Sequence, residues 1–234
     1  MRTLKNITKI CVVLSLAAAG AAAAQNSALE EAAKKENLER VQDGPWQETW
    51  VNPDIDFSQY DKLLPGDAVF QYRDIPAPRR SSMMSRQGSQ QTEFPVPEEE
   101  QAEFQQIVGD AFRAELIKGE NFSLTDTADE QTILVRGGLV DIVSRVPPQY
   151  LGANDVFLSR VGEATLVLEF VDPNTGDKLA VIMERGVIGA NRGDAVLDGG
   201  AVRTTPGRIR QAVEVWATAS AKKLRNVLDD ALGG

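Results

Sequence analysis

The chain has 234 residues, 42% of them hydrophobic, and carries 25 basic against 34 acidic side chains, for a net charge of −9. It contains no histidine and a single cysteine, Cys11. This composition excludes Ser-His-Asp triads, leaves no pair of cysteines for a disulfide, and removes zinc sites built on imidazole. The acidic balance repels phosphate backbones and anionic lipid surfaces, so nucleic acid is not an expected partner.

The first 24 residues read as a signal peptide. Arg2, Lys5 and Lys9 give a basic start, Ile10 to Gly20 is apolar, and Ala21 to Ala24 supply the small residues that a signal peptidase accepts before Gln25. The apolar run is shorter than the roughly 20 residues that a membrane span requires. Cys11 follows Lys9-Ile10 rather than an apolar run, so it does not match a lipid-modified cysteine and leaves with the leader. Cleavage after Ala24 gives a chain without cysteine or histidine, with 22 basic against 34 acidic residues and a net charge of −12. The expected location is therefore the periplasm, with no stable membrane insertion.

Residues 25–45 form a flexible or helical leader in which only Leu29, Leu38 and Val41 are larger apolar residues. A single domain is expected over 46–234. Trp46 and Trp50 open it either as a ligand-stacking platform or as a clamp that fixes an N-terminal arm, and the large area of the buried rings favours the clamp. Leu63-Leu64 and Ala68 to Tyr72 make the first strand, interrupted at Pro65-Gly66, which places it at an edge or on a bulge. A mobile loop is expected over 76–96. Its Arg79, Arg80 and Arg86 are positioned to touch an acidic partner or simply to be solvated.

Pro97 and Glu98-Glu-Glu100 open a helix in which Phe104, Ile107, Val108, Ala111, Phe112 and Leu116 share one face, closed by Lys118-Gly119. Glu98, Glu99, Glu100 and Glu103 fit a water-facing helix start better than a metal site. Phe122 to Leu124 is a short strand and Thr125 to Glu130 a turn. Gln131 to Arg145 is a long strand ended by Val146-Pro147-Pro148, with Gly137-Gly138 marking a bulge or a close backbone approach. Asp141 lies between Val140 and Ile142, where a buried carboxylate needs a partner, and Arg136 and Arg145 are candidates for an ion pair.

Ala164 to Val171 and Lys178 to Arg185 form a β-hairpin around Asp172-Pro-Asn-Thr-Gly-Asp177. The turn resembles a calcium loop only superficially, since it lacks the sixth-position glycine and the twelfth-position carboxylate. Val187 to Thr204 is glycine-rich and non-periodic, and it includes the adhesion-like tripeptide Arg192-Gly193-Asp194. Thr205-Pro206 starts the last helix, whose stripe comprises Ile209, Val213, Trp216, Ser220, Leu224, Val227 and Leu228 with Ala212 and Ala219. Lys222, Lys223 and Arg225 face away from that stripe. No internal repeat, phosphate-binding loop or framed carboxylate pair is present, and no catalytic, cofactor-binding or metal-ligating residue is assigned.

The stretches Thr49 to Lys62, Leu134 to Pro148 and Gly162 to Asp177, with Trp216-Ala217 in the last helix, resemble a family of exported bacterial envelope proteins. That family is catalogued as a domain of unknown function, number thirty-three thirteen, and many of its members are lipoproteins. The resemblance covers roughly Trp46 to Leu232. It implies an envelope location and brings no catalytic residue or cofactor, and the missing lipobox sets this chain apart from the lipoprotein members.

These readings give an α+β fold, a two-layer sandwich with a mainly antiparallel sheet of at least four strands and two long helices on one face. The expected order is strand, helix, three strands, helix. The leading function is non-enzymatic: binding an envelope protein through the edge near Pro65 or the open sheet face, in envelope assembly or maintenance. One alternative is a hydrolase of envelope carbohydrate using Asp141 and Glu169. Another is a small-ligand carrier with Trp46 and Trp50 at its mouth.

Overall fold

The computed structural model describes residues 30–76, 92–148, 157–189 and 202–233. The signal peptide, Cys11, Arg79, Arg80, Arg86 and Arg192 to Asp194 lie outside them. The fold is α+β: a seven-stranded, mainly antiparallel sheet backed by two long helices. The strands are β1 (Glu39–Arg40), β2 (Glu48–Val51), β3 (Lys62–Tyr72), β4 (Ser123–Leu124), β5 (Thr132–Ser144), β7 (Arg160–Val171) and β8 (Lys178–Gly189). They lie in the order β1-β2-β8-β7-β5-β3-β4. A separate two-stranded ribbon pairs β6 (Phe157–Leu158) with β9 (Val202–Arg203). The helices are α1 (Glu98–Leu116) and α2 (Pro206–Leu232).

The hairpin β7-β8 is the centre of the sheet. Its turn is held by Asp172, whose Oδ1 accepts from the N–H groups of Asn174 at 2.7 Å and Thr175 at 3.3 Å. Gly176 takes φ +81°, and its N–H donates to the Asp172 carbonyl. The residues that evoked a calcium loop are spent on the turn itself, and Asn174 Nδ2 donates to the Asp129 carbonyl.

Two strand pairings depart from the expected order. β3 runs parallel to β5, so the chain must cross over between them, and α1 makes that crossing. β1 and β2 precede β3 and extend the sheet beyond β8, because the leader folds back onto it. The proline in β3 behaves as its chemistry requires: the register shifts between Pro65 and Ala68, and β4 pairs only with Lys62 and Leu63 on that side.

Gly137 and Gly138 mark a close approach on both flanks of β5. A Cβ on Gly137 would come within 2.1 Å of the Val167 carbonyl oxygen, and one on Gly138 within 1.8 Å of that of Val69. Residues 92–96 belong to the fold rather than to the loop expected over 76–96. Phe94 is buried, and its N–H and C=O both bond to Ser144.

The main core lies between the sheet and both helices, with Leu63, Ile133, Leu139, Ala164, Leu166, Leu168 and Ile182 facing α1 and α2. α2 starts as expected, with Thr205 Oγ1 accepting from the Arg208 N–H and Pro206 in the first turn. Its buried stripe is rotated from the expected one. Ala217 and Ala221 are fully buried, and Ala219 is exposed. Small side chains let α2 lie close to the sheet, so alanines carry the contact that larger residues were expected to make.

The opposite face is covered in part by the leader. Residues 30–35 are helical, and the helix ends in a Schellman turn. Asn37 takes φ +54°, and Leu38 N–H donates to the Ala33 carbonyl at 2.9 Å. Ala33 and Leu38 then pack with Trp50 against Val181 in a second, smaller cluster.

Candidate functional site

Period-two alternation along β7 and β8 sends Leu166 and Leu168 to the helices, and Glu163, Glu169 and Arg185 to the other face. Asp141 reaches that face through a bulge. The β5–β7 register shifts between Val140 and Val143, and Asp141 takes φ +54°. The left-handed residue turns the carboxylate out of the apolar row between Val140 and Ile142.

There it joins a closed ring of alternating charges. Arg73 donates from Nε and Nη2 to both Asp141 oxygens at 2.7 and 2.6 Å. Arg185 links Asp141 to Glu163 at 2.7 and 2.8 Å. Arg145 grips Glu163 Oε1 from Nη2 at 2.6 Å and approaches Glu93 at 3.2 Å. Arg73 Nη1 closes the circuit onto Glu93 at 2.6 Å. Three guanidiniums and three carboxylates thus tie β3, β5, β7, β8 and residue 93 together with no net charge.

An ion pair at Asp141 was expected, but with Arg136 or Arg145. The partners are Arg73 and Arg185, because the bulge redirects the side chain toward the β3 end and β8. Arg136 instead bonds Glu169 at 2.9 Å, and Lys178 bonds the other oxygen of Glu169 at 3.2 Å. Asp141 and Glu169, paired in the hydrolase reading, therefore sit in separate ion-pair groups.

The chemistry of the ring follows from its hydrogen bonds. Burial pushes the Asp141 carboxyl up, but the hydrogen bonds from Arg73 and Arg185 outweigh it and hold the group below the usual carboxylate range. Glu163 is balanced the same way, with burial opposed by Arg185 and Arg145, and it also ends low. Both are ionised near neutrality and have no proton to give, which disfavours either as a general acid.

The two tryptophans do not form a platform. Trp46 is buried in the main core, and Trp50 in the leader cluster on the opposite face. Lys223 Nζ stands 4.2 Å from the centre of the Trp46 ring and donates to both Glu184 oxygens at 2.7 and 2.8 Å. Lys223 and Arg225 thus do not face away, since Arg225 Nη1 donates to the buried Glu115 at 2.9 Å and clamps α1 to α2. Glu103, one of the acidic residues at the start of α1, pairs with Arg210. Among the described residues, no group of three or more Asp, Glu, Cys or His is arranged to hold a metal ion. No helix among them is long and apolar enough to cross a membrane.

The two long edges of the sheet differ. Among the described residues, β3 has no neighbouring strand beyond Leu63 on its outer side, over exposed Pro65, Gly66, Asp67, Ala68 and Val69. β2 covers β8 only from Ala180 to Met183. The Gln47 carboxamide then takes one more step in place of main chain. Its Oε1 accepts from Arg185 N–H at 2.9 Å, and its Nε2 donates to the Arg185 carbonyl at 3.2 Å. Beyond Gln47 the β8 edge has no neighbouring strand among the described residues. An open groove of about 330 Å³ runs beside it, lined by Leu166, Gly186, Val187, Trp216, Ala219 and Lys223 among others.

This groove lies where the sequence was read as non-periodic. β8 continues through Gly189, with Ile188 buried, instead of ending near Arg185. The Val187-Ile188 pair was the signal available in the sequence, and the glycines on either side obscured it. Gly186 serves the packing, since a Cβ there would fall 2.4 Å from Trp216 Nε1.

No family model matches the chain, and no curated protein sequence matches it. Among solved structures, the PelC dodecamer from Paraburkholderia phytofirmans aligns at 7% identity and a TM-score of 0.35, over 80% of this chain and 95% of that one. A putative neuraminyllactose-binding hemagglutinin homolog from Helicobacter pylori aligns at 13% identity and a TM-score of 0.33, over 75% and 86%. A PDZ domain protein from Parabacteroides distasonis aligns at 12% identity and a TM-score of 0.31, over 84% and 40%. Likenesses at these scores lend this chain neither a fold nor a function.

Proposed function

We propose that this chain is an exported envelope protein that works by contact, pairing an edge of its sheet with another envelope protein, and that it carries out no catalysis. The observation that carries this reading is that, among the described residues, no strand neighbours the outer backbone of β3 beyond Leu63 or of β8 beyond Arg185. Such edges are templates for an added strand. The basic, apolar and small-residue order of residues 1–24 supports export, as does the resemblance of the strands to exported envelope proteins.

The hydrolase reading would require Asp141 and Glu169 to share a cleft with a protonated acid. Their capture by separate cationic partners weighs against it. The carrier reading would require a cavity beneath Trp46 and Trp50, whose burial in different clusters weighs against that one.

The test uses the full chain in intact cells, with a photocrosslinking residue placed at Val69 on one edge or at Ala219 beside the other. A discrete crosslinked species containing an envelope protein is expected from at least one position. The reading is overturned if neither position captures a protein while the purified chain cleaves cell-wall glycan.

A further inference from the structure

The two edges are not equivalent, and their difference identifies which one takes a partner. β3 bears the devices that blunt an edge: Pro65 offers no N–H, Asp67 places a charge on the exposed run, and the register is broken between Pro65 and Ala68. The part of β8 with no outer neighbour among the described residues, Gly186 to Gly189, has no proline and no charge.

The direction of its backbone groups follows from bonds already made. Asn52 N–H donates to the Leu179 carbonyl at 2.9 Å, and Gln47 occupies both backbone groups of Arg185. Odd-numbered residues of β8 therefore present their N–H and C=O toward β2, and alternation carries this to Val187. In the register Glu48 with Met183 and Trp50 with Val181, main chain continuing β2 backward would place Pro45 opposite Gly186 and Gly44 opposite Val187. The chain leaves that line because Trp46 turns into the main core. Gln47 caps the vacated step, and the next outward pair, at Val187, has no neighbouring strand among the described residues.

Side chains set the chemistry of the occupant. A residue opposite Gly186 would project toward the helices, into the groove between Trp216 and Ala219. A residue opposite Val187 would share the other face with the half-exposed Val187 side chain. The charges around the groove are already neutralised: Lys223 by Glu184, and Arg185 by Asp141 and Glu163. Neither end of the groove therefore attracts a charged side chain.

We infer that the β8 edge binds an extended, uncharged segment of a partner protein as an added antiparallel strand in the line of β2, bonded to Val187, with one large apolar side chain seated against Trp216. This inference rests on the contact reading above and deepens it by naming the edge and the kind of segment.

The test uses a capped peptide of alternating threonine and leucine, read by hydrogen exchange at the Val187 amide of the purified protein. The peptide is expected to protect that amide, and a version N-methylated on alternate amides to lose the effect. Ala219→Arg places a long cation in the groove from an exposed helical position. Val187→Pro removes the outward N–H at an edge, where proline is tolerated. Either change should weaken peptide binding by about tenfold, the scale of one lost hydrogen bond, and Val187→Pro should also abolish crosslinking from position 219 in cells.

If Val187→Pro does not fold, Ala219→Arg and the N-methylated peptide still decide. The inference is overturned if the peptide leaves the Val187 amide unprotected, if N-methylation makes no difference, or if protection appears at Val69 instead. Crosslinking at Val69 without crosslinking at Ala219 would reject the β8 edge and leave the contact reading standing. Crosslinking at neither would reject the β8 edge, and together with cleavage of cell-wall glycan by the purified chain it would reject the contact reading as well.

Discussion

The two faces of the sheet are held by different physics. Toward α1 and α2, the contact is apolar and closely packed, with Ala164, Ala217, Ala221 and Leu224 at 0–1% exposure. On the other face, the Arg73-to-Glu93 ring and the Arg136–Glu169–Lys178 group lace the strands together, beside the small apolar leader cluster around Trp50. Apolar contact scales with buried area and tolerates sliding. Guanidinium–carboxylate pairs contribute less net stability when partly wet, but they fix register and direction. The apolar face therefore supplies stability, and the charged face holds the β8 edge in position.

The largest effect is expected from Leu224→Ala, which opens a cavity under α2 and should lower stability by about 3 kcal/mol in urea titrations. A loss below about 1 kcal/mol would mean that the helix layer is looser than its burial indicates. Glu163→Ala should come next, at about 2 kcal/mol. It removes the carboxylate that Arg145 and Arg185 share, while Arg185 keeps Asp141, Arg145 keeps Glu93, and their partial exposure discounts the penalty further. If the ring serves register, Glu163→Ala should also raise hydrogen exchange across Val140 to Ser144 more than Leu224→Ala does at equal loss of stability.

Acid should separate the faces further. Asp141 and Glu163 have folded-state pKa values below their unfolded values, so their contribution is complete above the unfolded carboxylate range near pH 4. It is lost as the pH falls through the lower folded values. Exchange measured between about pH 4 and pH 2 should rise first around the ring, ahead of the amides of Ile133 and Leu168 in the apolar core. Simultaneous loss at both would indicate one cooperative unit. Asp129, drawn down to about 2 first by Lys62 and then by Thr132, contributes to the same acid limb at the β3–β5 end.

The smallest global effect is expected from Leu38→Ala. The cluster it belongs to is small and satellite, so the urea midpoint should move by the equivalent of about 1 kcal/mol or less. Exchange over residues 30–41 should nevertheless rise sharply, and a large global loss would show that the leader is integral to the sheet.

Much of this fold is written locally. The β7-β8 turn is specified by Asp172 and Gly176, the start of α2 by Thr205-Pro206, and the crowding at β5 by Gly137-Gly138. The first two act within a few residues of their own position, whereas the glycine pair, though visible in the sequence, makes room for the Val167 and Val69 carbonyls of neighbouring strands. The candidate site was less legible. Asp141 was visible as a carboxylate in an apolar strand, but its partners Arg73 and Arg185 lie 68 and 44 residues away. The last residues of β8 were hidden by flanking glycines, and the reason for Gly186, the Trp216 indole, lies in another element.

The amino-acid order alone determined the class of fold, the two amphipathic helices and the central hairpin, because periodicity, capping and turn chemistry are short-range properties of the chain. Tertiary structure decided which arginine meets which carboxylate, where Trp46 and Trp50 go, and which strand edge stays open. Those outcomes depend on sheet order and on the departure of residues 44–46 from the β2 line, and no local pattern encodes a pairing between segments that meet only after the sheet has formed.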